Sequence, residues 1–238
     1  MNRKTNLENY DIFLRTLKSK NYDFVFFDEL DNKHNQVIIR HDIDFDVMAA
    51  LEIAEIEYSM GVKSTFFFLL RNESYNPFEP NNFEAIQKIK KLGHMVTIHF
   101  DPIIYEDFEK GFFMEKQLFE SAFETSVEII SLHRPNEYFQ NHNQPIDQCE
   151  HTYMNKYFRD IKYVSDSTGI FRHGHPFITN EFHNNESLHI LIHPIWWIYN
   201  GESNFDKLKS FYFKKKESLK NHYSLNCIPF KTIIHELD

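Results

Sequence analysis

The sequence predicts an α/β fold in which parallel strands close, or nearly close, into a barrel. Short apolar runs alternate with helical patterns along the chain, and strand–helix–strand order means parallel pairing with right-handed crossovers. Enough such units are present for a barrel instead of an open sheet. Asp42, Asp44, His99, His133, Asp166 and His193 all fall at or just past the C-terminal end of a predicted strand, the face on which parallel barrels carry their reactive groups. The length of 238 residues is read as a single domain over 1–238 with an N-terminal helical extension at about 1–30.

The elements follow in order. Asn6 caps a helix from about Leu7 to Lys20, whose Tyr10, Phe13, Leu14 and Leu17 share one face. Phe24 to Phe27 reads as a short strand and Val37 to Ile39 as a strand leading into Arg40-His41-Asp42-Ile43-Asp44. Asp46 caps the next helix, with an apolar stripe of Val47, Leu51, Ala54 and Tyr58 flanked by Ala50 and Ile53, and Gly61 ends it. Thr65 to Leu70 is a strand, Asn82 to Leu92 a helix closed by Gly93, and Met95 to Phe100 a strand. Tyr105 to Thr125 is a long Phe-rich helix, followed by strands at Val127 to Leu132, Tyr163 to Ser165 and His189 to His193. Phe205 to Tyr223 reads as a basic amphipathic helix and Thr232 to Ile234 as a final strand. Between them, Asn136 to Tyr157 has the length and composition of a lid.

Composition excludes several function classes. A net charge of −9 leaves no basic footprint for general nucleic-acid backbone binding. Cys149 and Cys227 make neither a disulfide framework nor a CxxC metal pair. No apolar run reaches membrane-spanning length, and MNRKTNLENY has no apolar stretch after its basic start, so neither membrane insertion nor a signal peptide is expected. A cytoplasmic location is the expectation. Lys207, Lys209, Lys214, Lys215 and Lys216 read as a solvated basic face, with an anionic-lipid or nucleotide-sugar contact as the sharper alternative.

The chemistry-bearing segments are four. Asp42 and Asp44 are two apart, so on a strand they share a face. Two such carboxylates repel unless a positive charge sits beside them. A divalent metal supplies that charge, one carboxylate serving as ligand and the other as base for metal-bound water. The alternative is a strand-end cap, Asp44 or Asp46 capping the helix with Arg40 as ion-pair partner. His99 ends a strand before Pro102 and suits Zn²⁺ as a neutral imidazole; alone, it reads as a core histidine. His94 is expected to satisfy the C-terminus of the preceding helix. His133 can complete a metal shell while Arg134 holds Asp42 or another acid, or the two form a structural brace. His193 leaves its strand into a Pro turn, where it can donate a proton to a leaving group or rest as a core residue. Trp196 and Trp197 offer faces for sugar stacking or pack on the rim.

Together, from about Val37 to Trp197, these segments resemble the polysaccharide deacetylase superfamily, the NodB-homology or carbohydrate esterase family four group. The resemblance implies a distorted (β/α)7 barrel of the NodB and glycoside hydrolase-deacetylase type. It implies removal of acetyl groups from sugars with one divalent metal, Zn²⁺ foremost and Co²⁺, Ni²⁺ or Mn²⁺ as alternatives. Asp42 is similar to the family's catalytic base and Asp44 to a metal ligand, in an HDxD variant of its first motif. Gly93 to His99 resembles the second motif, with His99 as ligand. His133-Arg134-Pro135 stands at the Arg-Pro motif, so that Arg134 orients the base. Asp166 resembles the residue that positions the acid histidine, and Leu191-Ile192-His193-Pro194 makes His193 the general acid. Trp196 and Trp197 are the candidate substrate-binding residues. The family's second metal histidine falls at Ile103 here, which binds no metal; His133, or less favourably Asp101, takes its place, or the site has lost its metal. The implied partner is an acetylated sugar or glycan precursor. The competing readings are hydrolysis of a non-sugar amide C–N bond and an inactive glycan-binding barrel.

Overall fold

A computed structural model describes residues 4, 7, 9–31, 34–135 and 137–236. The expected cap Asn6 and the first residue of the suggested lid, Asn136, lie outside them. The chain forms two compact units, Asn6–Ile198 and Met1–Thr5 with Tyr199–Asp238.

The larger unit begins with α1 (Tyr10–Ser19), which buries Tyr10, Phe13, Leu14 and Leu17 as their spacing predicts. It starts behind Asn9, whose side chain makes no cap bond. The expected strand at Phe24 to Phe27 splits into β1 (Asp23–Phe24) and a 3-10 turn at Phe27–Glu29. Then come β2 (Gln36–Ile43), α2 (Val47–Ser59), β3 (Thr65–Phe68), α3 (Pro80–Lys91) and β4 (Met95–Phe100). α4 (Phe108–Phe123) starts at its Asp107 cap, three residues later than expected, because Pro102–Ile104 forms a separate 3-10 turn. β5 (Ile129–Leu132), α5 (Glu137–Asn141), β6 (Glu150–His151), α6 (Asn155–Phe158), β7 (Lys162–Ser165), α7 (Asn180–His183), β8 (Leu188–Ile192) and α8 (Ile195–Ile198) complete it.

Seven strands pair in the order β6-β5-β4-β3-β2-β8-β7, with β1 added on β2. Every pair between these strands is parallel. The result is a distorted, open (β/α)7 barrel: among the described residues no backbone pairing joins β6 to β7. The stretch that could form a lid supplies the edge strand β6, whose Ile129↔Glu150 and Ile130↔His151 register extends the sheet.

All eight residues of β2 are buried, because a parallel sheet is covered on both faces. Ile38 packs inward with Val25, Phe27, Phe67, Ile129 and Tyr157. Val37, Ile39 and Ile43 face the other way, in the large cluster under the helices. His41 lies on that outer face against α2. Its Nε2 sits 2.9 Å from Glu57 Oε1, which also accepts from the Tyr10 hydroxyl at 2.6 Å. Ser64 donates to Glu57 Oε2 at 2.5 Å. His94, expected to satisfy the end of α3, joins this network instead, pairing with Ser64 Oγ at 3.1 Å and with the Ala54 carbonyl at 3.0 Å. Burial pushes the Glu57 carboxyl up, but His41 and His94 outweigh it and hold it below its usual range.

In the smaller unit, α9 spans Asn204–Asn226, capped by Ser203, and α10 spans Ile228–Ile233. The strand expected at Thr232 to Ile234 is therefore helical. Pro229 occupies the first turn of α10, and Thr232 Oγ1 bonds back to its carbonyl at 2.7 Å. A β-branched triplet without a partner strand follows this local bonding.

Candidate active site and metal centre

Arg40 and Asp42 share the inner face of β2. Arg40 Nε donates to Asp42 Oδ1 at 2.8 Å and Nη2 to Oδ2 at 2.6 Å. Both are almost wholly buried, and the guanidinium lies over the rings of Phe67 and Tyr153. Burial alone would raise Asp42, yet Arg40 first, then His99 and His193, hold it far below the usual carboxylate range. Arg134, expected to orient Asp42, binds Asp101 instead. The arginine that holds Asp42 is Arg40, named in the sequence only as an ion-pair partner. Its signal is the Arg-x-Asp spacing, which places both side chains on one face of a strand.

Asp44 lies one residue past β2, in the turn before α2. Asn72 donates to its carbonyl at 2.9 Å, and the Tyr75 hydroxyl bonds the Ile43 carbonyl at 2.7 Å. Asp46 caps α2 as expected, accepting from the Met48 N–H at 2.9 Å.

His99 is the penultimate residue of β4, paired in register with Ser131 of β5. Its Nδ1 lies 2.6 Å from Ser131 Oγ, which orients the ring and leaves Nε2 facing the mouth. Ser131 escaped the sequence reading; as a partner two residues before His133 on the neighbouring strand, it could be found only from the register. The His133 N–H donates to the Phe100 carbonyl at 2.7 Å, continuing the β4–β5 ladder and bringing the ring beside His99.

His99 Nε2 and His133 Nδ1 are 3.1 Å apart, and Asp44 Oδ1 lies 3.3 Å from the first and 3.5 Å from the second. Asp44 Oδ1 is buried and receives no hydrogen bond. Bonds of about 2.0–2.1 Å to a tetrahedral Zn²⁺ put donor atoms roughly 3.3 Å apart, so the spacing and the unsatisfied oxygen fit a divalent cation. Burial lowers the His133 pKa, with His99 adding to it, which keeps the imidazole neutral and able to ligate. Burial opposes ionisation of Asp44, but His99 and His193 keep it ionised. Asp44, His99 and His133 are the group of potential ligands found among the described residues. Ile103 stands outside them, 52% exposed, and Asp101 is taken by Arg134.

His193 follows β8. Its Nδ1 lies 2.6 Å from Asp166 Oδ1, while its backbone N–H donates to the same carboxylate at 3.1 and 3.0 Å. Nε2 points across the mouth, 3.8 Å from Asp44 Oδ2. Burial lowers the His193 pKa, but Asp166 outweighs it and lifts it to about 9. Asp166, wholly buried just past β7, also accepts from Trp197 Nε1 at 2.7 Å.

Trp196 and Trp197 differ in exposure, the first buried and the second half-buried. The Trp197 ring packs edge-on against Tyr10 at 5.2 Å and Phe13 at 5.1 Å. Tyr10 and Phe13 of α1 thus take up part of the Trp197 ring surface, and Trp196 packs in the core.

No family model matches the chain, and neither does any curated protein. Solved structures are similar in chain path. The peptidoglycan deacetylase PdaC of Bacillus subtilis is 13% identical, with 79% of this chain and 87% of that one covered, at a TM-score of 0.45. A family 4 carbohydrate esterase of Bacillus anthracis is 10% identical over 92% of this chain and 91% of that one, at 0.46. A family 4 pseudoenzyme of Bacillus anthracis is 14% identical over 79% and 63%, at 0.43. Two of these three, the esterase and the pseudoenzyme, bear the name of carbohydrate esterase family four.

Proposed function

We propose that the protein is a metal-dependent hydrolase that removes the acetyl group from an N-acetylated sugar or glycan precursor. One observation carries this reading: two imidazole nitrogens and an unsatisfied carboxylate oxygen converge within 3.5 Å, between the Asp42 carboxylate and a histidine bound to aspartate. A divalent cation held by Asp44, His99 and His133, Zn²⁺ foremost and Co²⁺, Ni²⁺ or Mn²⁺ otherwise, would polarise the acetyl carbonyl and acidify water at the site.

The chain's own groups do the proton work. Asp42 stays ionised and fixed by Arg40, its Oδ2 lying 3.7 Å from His99 Nε2, and it accepts the proton of the attacking water. So weak a base takes the proton only as the new C–O bond forms. His193, protonated at neutral pH because Asp166 stabilises its cation, donates that proton to the departing amine. Asp166 fixes the ring through Nδ1, and the Trp197 N–H holds the Asp166 carboxylate in place. Trp196 is packing.

The competing reading, an inactive glycan-binding barrel, rests on Ile103 in place of a metal histidine and on Trp196 and Trp197; the Asp44, His99 and His133 cluster favours the hydrolase, and metal content of the purified protein separates the two. Hydrolysis of a non-sugar amide would use the same groups, and a panel of N-acetylated sugars and cyclic amides separates the two. The central test is Asp42→Asn in zinc-reconstituted protein. Acetate release from N-acetylglucosamine oligomers should fall by about 10²–10⁴, with roughly one equivalent of metal retained. Near wild-type turnover with metal bound would remove Asp42 from the mechanism.

A further inference from the structure

Two buried carboxyl groups beside the triad take no part in this chemistry. Asp101 is 5% exposed and Glu115, on α4, is 3% exposed. Each is tied to an arginine at the rim. Asp101 accepts from Arg134 Nη2. Glu115 accepts from the Tyr105 hydroxyl, and the Arg71 guanidinium lies 5.1 Å over the Tyr105 ring. The two acids feel one another: burial first, and Asp101 with it, push Glu115 up to about 7, while Tyr105 and Arg71 oppose this.

Both arginines reach solvent, and both stand next in sequence to residues of the site. Arg71 is exposed, and the Arg134 side chain is 55% exposed against 6% for Asp101. Arg71 precedes Asn72, whose amide holds the Asp44 carbonyl, and Arg134 directly follows His133. Arg134 also adopts a left-handed backbone, with φ +50°, a conformation that costs a side-chain-bearing residue energy and persists where its surroundings enforce it. A guanidinium stacked on a ring, or held along one edge by a buried acid, is oriented before any ligand arrives and keeps its remaining donors for an anion. Beside them the aromatic cleft of Pro102, Ile103, Tyr105, Phe108, Tyr138 and Phe139 encloses about 260 Å³. On a chain of net charge −9, two anchored arginines beside a site built largely of carboxylates and imidazoles call for a ligand of opposite sign.

Building on the deacetylase reading, we infer that Arg71 and Arg134 bind an anionic group, phosphate or carboxylate, carried by the N-acylated sugar substrate. Calorimetric titration of the full chain compares N-acetylglucosamine, its 1-phosphate and the corresponding uronic acid. At least one charged sugar should bind about tenfold or more tightly than the neutral one, and added salt should erode the difference. The arm that shows the gain, phosphate or uronate, assigns the anion. Arg71→Gln, at an exposed side chain whose loss leaves the fold intact, should cut the preference several-fold; Arg71→Gln with Arg134→Gln should abolish it. Equal binding of the three sugars, or a preference that survives in the double variant, overturns the inference. Acetate release is read separately. Charged sugars that bind but are never deacetylated overturn the deacetylase reading and leave the anion site standing; deacetylation without charge preference overturns the anion site alone.

Discussion

Arg40 and Asp42 meet through two short contacts at near-complete burial, which makes Arg40 the main neutraliser of Asp42, ahead of His99 and His193. Removing one partner of such a pair strands a buried charge at a cost of about 3–5 kcal/mol. Arg40→Ala should therefore lower the unfolding free energy by that much, seen as a lower urea midpoint, and suppress activity with it; Arg134→Ala, which gives up a half-exposed side chain and leaves Asp101 without its arginine, should cost less. Equal midpoints for Arg40→Ala and wild type would contradict the pairing. His193 supplies a pH prediction. Its folded pKa, about 9, lies above the usual 6.5. Its stabilising contribution is then present in full below pH about 6.5 and lost as pH rises through about 9. Under the proposed mechanism it donates the proton, and it should then also set an alkaline limb of kcat near pH 9. Asp166→Asn removes the charge that raises the pKa, so the limb should move toward acid; an unmoved limb would mean that another group carries the proton.

At the scale of elements, β2 does two jobs because alternate residues face opposite ways. Arg40 and Asp42 enter the barrel, and His41 between them reaches the buried Glu57 network that also takes in Tyr10 of α1. Glu57→Ala leaves His41, Tyr10 and Ser64 without their acceptor in a dry layer. It should cost about 3–5 kcal/mol, read as a lower thermal midpoint, with Glu57→Gln milder; a midpoint unchanged by either substitution would refute that role. Strand ends were legible in the sequence because Asp and His interrupt apolar runs there, and α2 was legible through Asp46 and Gly61. What was not legible depends on pairing. Arg40 meets Asp42 along its own strand, whereas the partner of Arg134 is decided only by the β4–β5 register, which brings it to Asp101. The edge strand β6 is two residues long, too short to show a period, and the helix at Ile228–Ile233 overrides its own β-branched composition through the Pro229 turn.

For the whole molecule, the putting together of Asp44, His99 and His133 from β2, β4 and β5 couples metal binding to the folding of the larger unit. A cation that binds only the folded state at a hundredfold excess over its Kd adds about 2.7 kcal/mol. Zinc should thus raise the thermal midpoint, a chelator reverse it, and His133→Ala abolish the response; a midpoint indifferent to zinc in the wild-type chain would argue against the centre. The parallel order of strands and the face that carries reactive groups could be read from the chain because they follow from local alternation. The division into two units could not, since no composition shift marks Tyr199. The Arg40–Asp42 pair has one further consequence. Both members travel on a single segment, so the strand carries its own clamp, and the arginine after β5 is released from serving the base. Substitutions at 40 and 42 should therefore covary in homologous chains, while position 134 drifts with 101 as specificity diverges.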